Sequence, residues 1–384
     1  MLNRNLALSL LALLLALTLP LACAESYTIT SDTILTPAQI LADLTLREKV
    51  GQLFIVRPEK LSFEYRGAEP VRVDGGKTAL TDVMRAAYTR YPVGGFVLFA
   101  ENIEDPPQLR QFLADLNGLC PVTPFLAVDE EGGRVARLAN KASMGIDNVG
   151  SMGSIGETGN TERAFAAGAA IGAYLSDYGF TLDFAPVADL RGPVIGNRSF
   201  GTDPEDVSSM AGAFIGGLHS QDVMACLKHF PGLGSSSSDT HEGAAEIEKT
   251  GSELLSSDLI PFIDNLNATD MVMVSHAGMT GMLGDDTPAS LSPQIITQGL
   301  RGRLGYTGVV ITDSLEMRAV TGRYKSAEAA VTAISAGADI LLMPSSLISA
   351  FDGVVEAVEG GRISEERIDE SVLRVLRLKL GGYP

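Results

Sequence analysis

The sequence of 384 residues contains no tryptophan and only 3 cysteines, and its 29 Lys and Arg are outnumbered by 47 Asp and Glu, giving a formal charge of -18. Each shortage removes a class of protein. Without a basic excess, an extended phosphate backbone would be repelled over most of the surface, so nucleic acid is not expected as a partner. Three cysteines cannot form a disulfide framework for so long a chain, and no Cys-x-x-Cys or Cys/His cluster points to structural zinc. The lack of indole faces argues against a long cleft that stacks polymeric sugar, leaving 9 Tyr and 14 Phe for such contacts. What is present is ordinary for a globular protein: a hydrophobic content of 45% is too high for disorder, and the fold must rest on an apolar core.

The N-terminus carries one charge, Arg4, then an almost pure Leu/Ala run over residues 6–19 that Pro20 breaks. That run is short for a bilayer span, and Ala22-Cys23-Ala24 fits a small-x-small cleavage site, so residues 1–24 are expected to be a secretory signal peptide. The mature chain, 25–384, would then act in the periplasm or outside the cell. Lipidation of Cys23 is a poorer reading, because Pro20 stands where a lipobox has an aliphatic residue. Cys120 and Cys226 lie in apolar settings and are expected to be buried free thiols.

After Asp43, apolar runs alternate with longer helical patterns, the signature of repeated βα units. Candidate strands are 52–56, 95–99, 125–128, 182–187, 223–228, 271–275, 309–312 and 339–343. The runs are nearly continuous, as parallel strands buried on both faces require. Helical patterns cover 161–178, 204–220, 327–336 and 364–380. The fold class is therefore α/β, and the arrangement a single-domain (β/α)8 TIM barrel over 25–384. A doubly wound open sheet is the alternative, but no Gly-x-Gly-x-x-Gly follows the first strand.

In such a barrel the chemistry lies at the C-terminal strand ends. Those positions hold Arg57, Glu101 and Asn102, Asp129-Glu130-Glu131, Asp189, Lys228-His229, His276 and Asp313. Several end apolar runs directly and point into the barrel mouth, where an unpaired charge is costly, so mutual ion pairs or a polar ligand are expected. The longest loop follows the fifth strand and contains Asp239-Thr240-His241. An Asp two residues from a His can fix its tautomer and raise its basicity, making a proton-transfer dyad; the alternative is an Asx-type turn with a solvent-facing His. Metal binding by Asp239, His241, His229 and His276 is weaker, since none has ligand spacing.

Lys228-His229-Phe230-Pro231-Gly232-Leu233-Gly234 with Asp239-x-His241 resembles the glycoside hydrolase family 3 β-N-acetylglucosaminidases. So do Asp129-x-Glu131-Gly132-Gly133-Arg134-Val135, Asp183-Phe184-Ala185-Pro186-Val187, Asn197-Arg198-Ser199-Phe200-Gly201 and Ile311-Thr312-Asp313-Ser314-Leu315. The resemblance runs from about residue 44 to 380. It implies a (β/α)8 barrel and a retaining exo-glycosidase, with Asp313 as nucleophile, His241 as general acid and base, and Asp239 as its orienting partner. It further implies substrate contacts from Asp129, Arg137, Arg198, Lys228 and His229. A small carbohydrate substrate, a monomer, and no cofactor or metal are also expected. A retaining mechanism needs two groups about 5 Å apart across the anomeric carbon, and a histidine acid avoids placing two negative groups together.

The sequence departs from the family pattern at Leu233, commonly histidine, which bears on how the loop is anchored. It also departs at Asn197 and at Glu130, which would add charge near the sugar. Asp129 has a competing reading as an ion pair with Arg134, and His276 is expected to be structural. Other readings are a family 3 β-glucosidase, an N-acetylglucosaminide phosphorylase, a catalytically silent glycan-binding barrel, and an aldolase-type barrel using Lys228 as a Schiff-base lysine. Intact Asp239, His241 and Asp313 argue against the silent barrel.

Overall fold

The computed structural model describes residues 28–30, 33–236, 243 and 245–381. The expected signal peptide, with Cys23, lies outside them. Eight short strands form one parallel sheet: β1 (Phe54–Val56), β2 (Gly95–Leu98), β3 (Phe125–Val128), β4 (Leu182–Asp183), β5 (Met224–Phe230), β6 (Met271–Val274), β7 (Val309–Thr312) and β8 (Leu341–Leu342). They pair in chain order, with β8 beside β1. A parallel bridge between Ile311 and Ile340, where Thr312 N–H donates to the Ile340 carbonyl at 3.0 Å, brings β7 against the segment entering β8 and closes the barrel. The single (β/α)8 barrel expected from the repeat of apolar runs is the fold observed.

The runs are continuous because both strand faces are buried. Ile55, Val97, Phe125, Ala127, Leu182, Phe184, Cys226, Met271, Met273, Val309 and Ile311 fill the barrel interior. Phe54, Val56, Phe96, Leu98, Leu126, Val128, Val272, Val274 and Val310 belong instead to the layer under the helices. This alternation, a period of two, extends past the strand ends and decides which polar residues face the mouth. Asp129 and Glu131 continue the inward set of β3, Lys228 that of β5 and Asp313 that of β7.

Several strand bounds differ from expectation, those of β1 and β4 for identifiable reasons. Gln52 ends a helix, Leu46–Gln52, with Leu53 as its C-cap and a reciprocal capping box between N-cap Thr45 and Glu48, so β1 starts at Phe54. The 182–187 run does follow β5, since Cys226 N–H donates to the Ala185 carbonyl at 2.9 Å and Lys228 N–H to that of Pro186 at 3.2 Å. Its ladder is cut short because Pro186 has no N–H to give. Two antiparallel strands that the sequence did not suggest, Phe63–Arg66 and Glu69–Arg72, follow β1; they are largely exposed apart from the core residue Phe63.

Helix α1 (Thr161–Tyr178) is capped by the Asn160 side chain and stopped by Gly179 in the left-handed region; α2 (Pro204–His219) is capped by Asp203. Both pack closely because Gly168 and Gly217 put bare backbone at their contact. A Cβ on Gly168 would lie 2.2 Å from the Phe214 carbonyl oxygen, and one on Gly217 2.2 Å from that of Phe165. At the barrel floor, helix α3 (Glu365–Lys379) sends Arg374 to the buried Asp339, 3.0 Å away, which also pairs with Arg301. Cys120 and Cys226 are free thiols, Cys226 buried inside the barrel. Among the described residues, no helix is long and apolar enough to cross a membrane.

Candidate active site

The C-terminal ends of the strands open into a cavity of about 550 Å³, lined by Phe99, Asp129, Glu131, Arg198, Lys228 and Asp313 among others. Its floor is charged. Lys228, only 2% exposed, places its Nζ 2.8 Å from Asp129 Oδ1 and 2.6 Å from Glu131 Oε1. Arg198 then donates to both oxygens of Glu131, from Nε at 2.8 Å and Nη2 at 2.6 Å, in a bidentate fork. Burial alone would raise the Glu131 carboxyl and lower the Lys228 ammonium. The opposing charges win: Lys228 and Arg198 hold Glu131 well below the usual carboxylate range, while Asp129 and Glu131 push Lys228 above its ordinary value. Asp129 keeps a second, looser partner, Arg137, with Nη2 at 3.6 Å.

Lys228 and its neighbour serve different walls because β5 carries a bulge. Lys228 pairs with Met273 and Phe230 with Val274, so His229 is the extra residue. Its Nδ1 lies 2.7 Å from Asp189 Oδ2, which also accepts its backbone N–H at 3.1 Å. The other oxygen of Asp189 accepts Leu233 N–H at 2.6 Å. Leu233, 4% exposed, packs into the core, so the base of the long loop is anchored by backbone and apolar contact.

Asp313 stands at the end of β7, its N–H donating to the Val274 carbonyl at 2.9 Å and its Oδ1 accepting Ser314 N–H at 2.7 Å. His276, 1% exposed, holds the same turn from behind. Its Nε2 lies 2.8 Å from the Ser314 carbonyl, which can only accept, so Nε2 carries a proton, while Nδ1 sits 2.6 Å from Ser290 Oγ. On the rim, the guanidiniums of Arg57 and Arg137 lie 4.9 and 5.1 Å from the centre of the Phe99 ring. A Lys60–Glu316 ion pair ties the loop after β1 to the loop after β7.

The chain matches the glycosyl hydrolase family 3 N terminal domain over residues 45–378. It belongs to that family. A relative in Mycobacterium tuberculosis, beta-hexosaminidase LpqI, is 32% identical over 378 residues, covering 95% of this chain and 87% of its own. Beta-hexosaminidase A of Pseudoalteromonas piscicida is 29% identical over 90% of this chain, which spans only 62% of that longer protein. A solved glycoside hydrolase family 3 beta-N-acetylglucosaminidase from Paenibacillus sp. str. FPU-7 superposes with a TM-score of 0.79 at 35% identity, over 88% of this chain and 62% of that one.

Within this family 3 barrel, Asp129, Arg137, Arg198, Lys228, His229 and Asp313 line one cavity. Asp239 and His241 lie outside the described residues. Arg134 also reaches the cavity but makes no ion pair with Asp129, whose partners are Lys228 and Arg137. Glu130, expected to add charge to the site, does not line the cavity: its carboxylate turns outward and accepts N–H groups of Leu138 and Ala139 and the Tyr174 hydroxyl, each at 2.9 Å. Glu131, the hub of the floor, stands in the sequence only as one strand-end charge and a motif member, with no role of its own. Its inward register, two residues after Asp129, was the available signal.

Proposed function

We propose that this protein is an exo-acting retaining β-N-acetylglucosaminidase that removes terminal N-acetylglucosamine from peptidoglycan fragments or chito-oligosaccharides. One observation carries the reading: Asp313 faces inward beside a preorganised floor of Asp129, Lys228, Glu131 and Arg198, whose charges are fixed before any sugar arrives. The similar proteins named beta-hexosaminidase support it. Asp313, rigid on a strand end, attacks the anomeric carbon. His241 protonates the leaving oxygen, oriented by Asp239, and then takes a proton from the water that releases the sugar. Asp129, Arg137, Arg198, Lys228 and His229 grip the terminal sugar by its hydroxyls and amide. Export after cleavage of residues 1–24 and a monomeric state complete the proposal; an exported protein whose intact mass begins at Glu25 is the expected product.

Hydrolysis of an aryl N-acetyl-β-glucosaminide tests the activity. The expected result is turnover by wild type and a loss of at least about 10³-fold in kcat in Asp313→Ala. An activated aryl leaving group needs little protonation, so His241→Ala should lose far more on chitobiose than on the aryl substrate, within the roughly 10²- to 10⁴-fold range of general acid catalysis. No turnover by wild type, or full activity in both variants, would overturn the proposal.

A further inference from the structure

Asp183, at the end of β4, is fully buried and lies between Val128 of β3 and Ala225 of β5. Its neighbours Leu182 and Phe184 face the barrel interior, so Asp183 faces the helix layer, behind the cavity rather than in it. Oδ1 accepts Glu130 N–H at 2.9 Å, the peptide directly between the two inward carboxylates Asp129 and Glu131. Oδ2 is buried with no hydrogen-bond partner. The groups around it are Asp129 and Glu130 after β3, Cys226 and Lys228 on β5, and Tyr174 on α1. Lys228, the one cation among these groups, is committed across the barrel wall to Asp129 and Glu131.

We propose that Asp183 is a positioning residue that holds the Asp129–Glu131 stretch from behind, and that it does so as an uncharged carboxylic acid. A carboxylate in this place would leave one charged oxygen dry and unpaired, and it would repel Asp129 and Glu130 while competing for the field of Lys228. A protonated Oδ2 removes the charge and the repulsion, at the smaller cost of one unpaired neutral O–H, and leaves Oδ1 free to fix the Glu130 peptide. Burial pushes the Asp183 carboxyl well above its ordinary value, in keeping with that geometry. The kinetic consequence rests on the cavity being the sugar site; the protonation does not.

Full-length wild type and Asp183→Asn decide it. An asparagine keeps the acceptor for Glu130 N–H and carries no charge, so kcat and KM on the aryl N-acetylglucosaminide should stay within about threefold of wild type. The infrared difference between the two proteins at neutral pH should show the carbonyl stretch of an uncharged acid in wild type alone. Because the folded-state value is raised, wild type loses stability relative to Asp183→Asn as pH rises from about 4 toward 8, so the Tm gap should widen over that range. Asp183→Ala, which strands the Glu130 N–H, should raise KM about 3- to 10-fold with a smaller fall in kcat. Absence of the acid band, a pH-independent Tm gap, or a large loss of activity in a well-folded Asp183→Asn would overturn the proposal. If wild type proves inactive on every glycoside, the infrared and thermal measurements still decide the protonation.

Discussion

Glu131 is buried at 1% exposure and serves two cations at once, so its ionisation is built into the native state. Its carboxyl is held below the ordinary value of 4.5, which makes that stabilisation fully present above about pH 4.5 and progressively lost as pH falls. Glu131→Gln leaves Lys228 and Arg198 sharing fewer negative partners in a dry site, a change that costs about 3–5 kcal/mol when a buried pair is broken. The expected outcome is a lower urea midpoint at pH 7 and a flatter loss of stability between pH 5 and 3. An unchanged acid slope would show that the pair does not carry the linkage. Composition and motif spacing cannot show such a hub; strand register can. Counting alternate positions from Phe125 through Ala127 and Asp129 puts Glu131 inward and Glu130 outward, where it meets Leu138, Ala139 and Tyr174 rather than the cavity. Asp313 and Lys228 were legible because each ends an apolar run on the inward parity. The role of Asp189, which joins His229 to Leu233, was not legible, since it depends on a bulge that no local residue pattern announces.

Elements built from double-sided burial were the easiest to read, and those built from close approach the hardest. All eight strands follow from apolar runs because a parallel strand has no polar face to interrupt the pattern. The contact of α1 with α2 instead depends on what is missing at Gly168 and Gly217, and a sequence records a glycine without saying what comes near it. Gly168→Ala puts a methyl 2.2 Å from the Phe214 carbonyl oxygen, which forces the helices apart. Overpacking of this kind costs about 1–3 kcal/mol. Gly118, near the end of helix Pro106–Leu119, has nothing within 4 Å of a built Cβ, so Gly118→Ala should be neutral or stabilise by up to about 1 kcal/mol. Thermal unfolding of the two variants side by side separates packing from helix propensity; equal Tm shifts would refute the close-packing account.

At the scale of the whole molecule, the charge of -18 and the shape of the cavity act in the same direction. A cavity of about 550 Å³ with an Arg57–Phe99–Arg137 stack at its rim offers room for a terminal sugar and its neighbour, and no tryptophan is available to extend a stacking surface along a polymer. With a formal net charge of -18 on the chain, approach to an anionic wall polymer is opposed over a Debye length of about 10 Å at 0.1 M salt, while a small neutral oligosaccharide meets no such barrier. If the cavity cleaves N-acetylglucosaminides, the rate on chitobiose should therefore change little with ionic strength. The rate on intact anionic wall should be lower and should rise as salt screens the repulsion. Parallel assays on both substrates from 20 mM to 300 mM salt test this. A wall rate that exceeds the soluble rate at low salt, or that falls as salt is added, would mean that attraction rather than repulsion governs access to the barrel mouth.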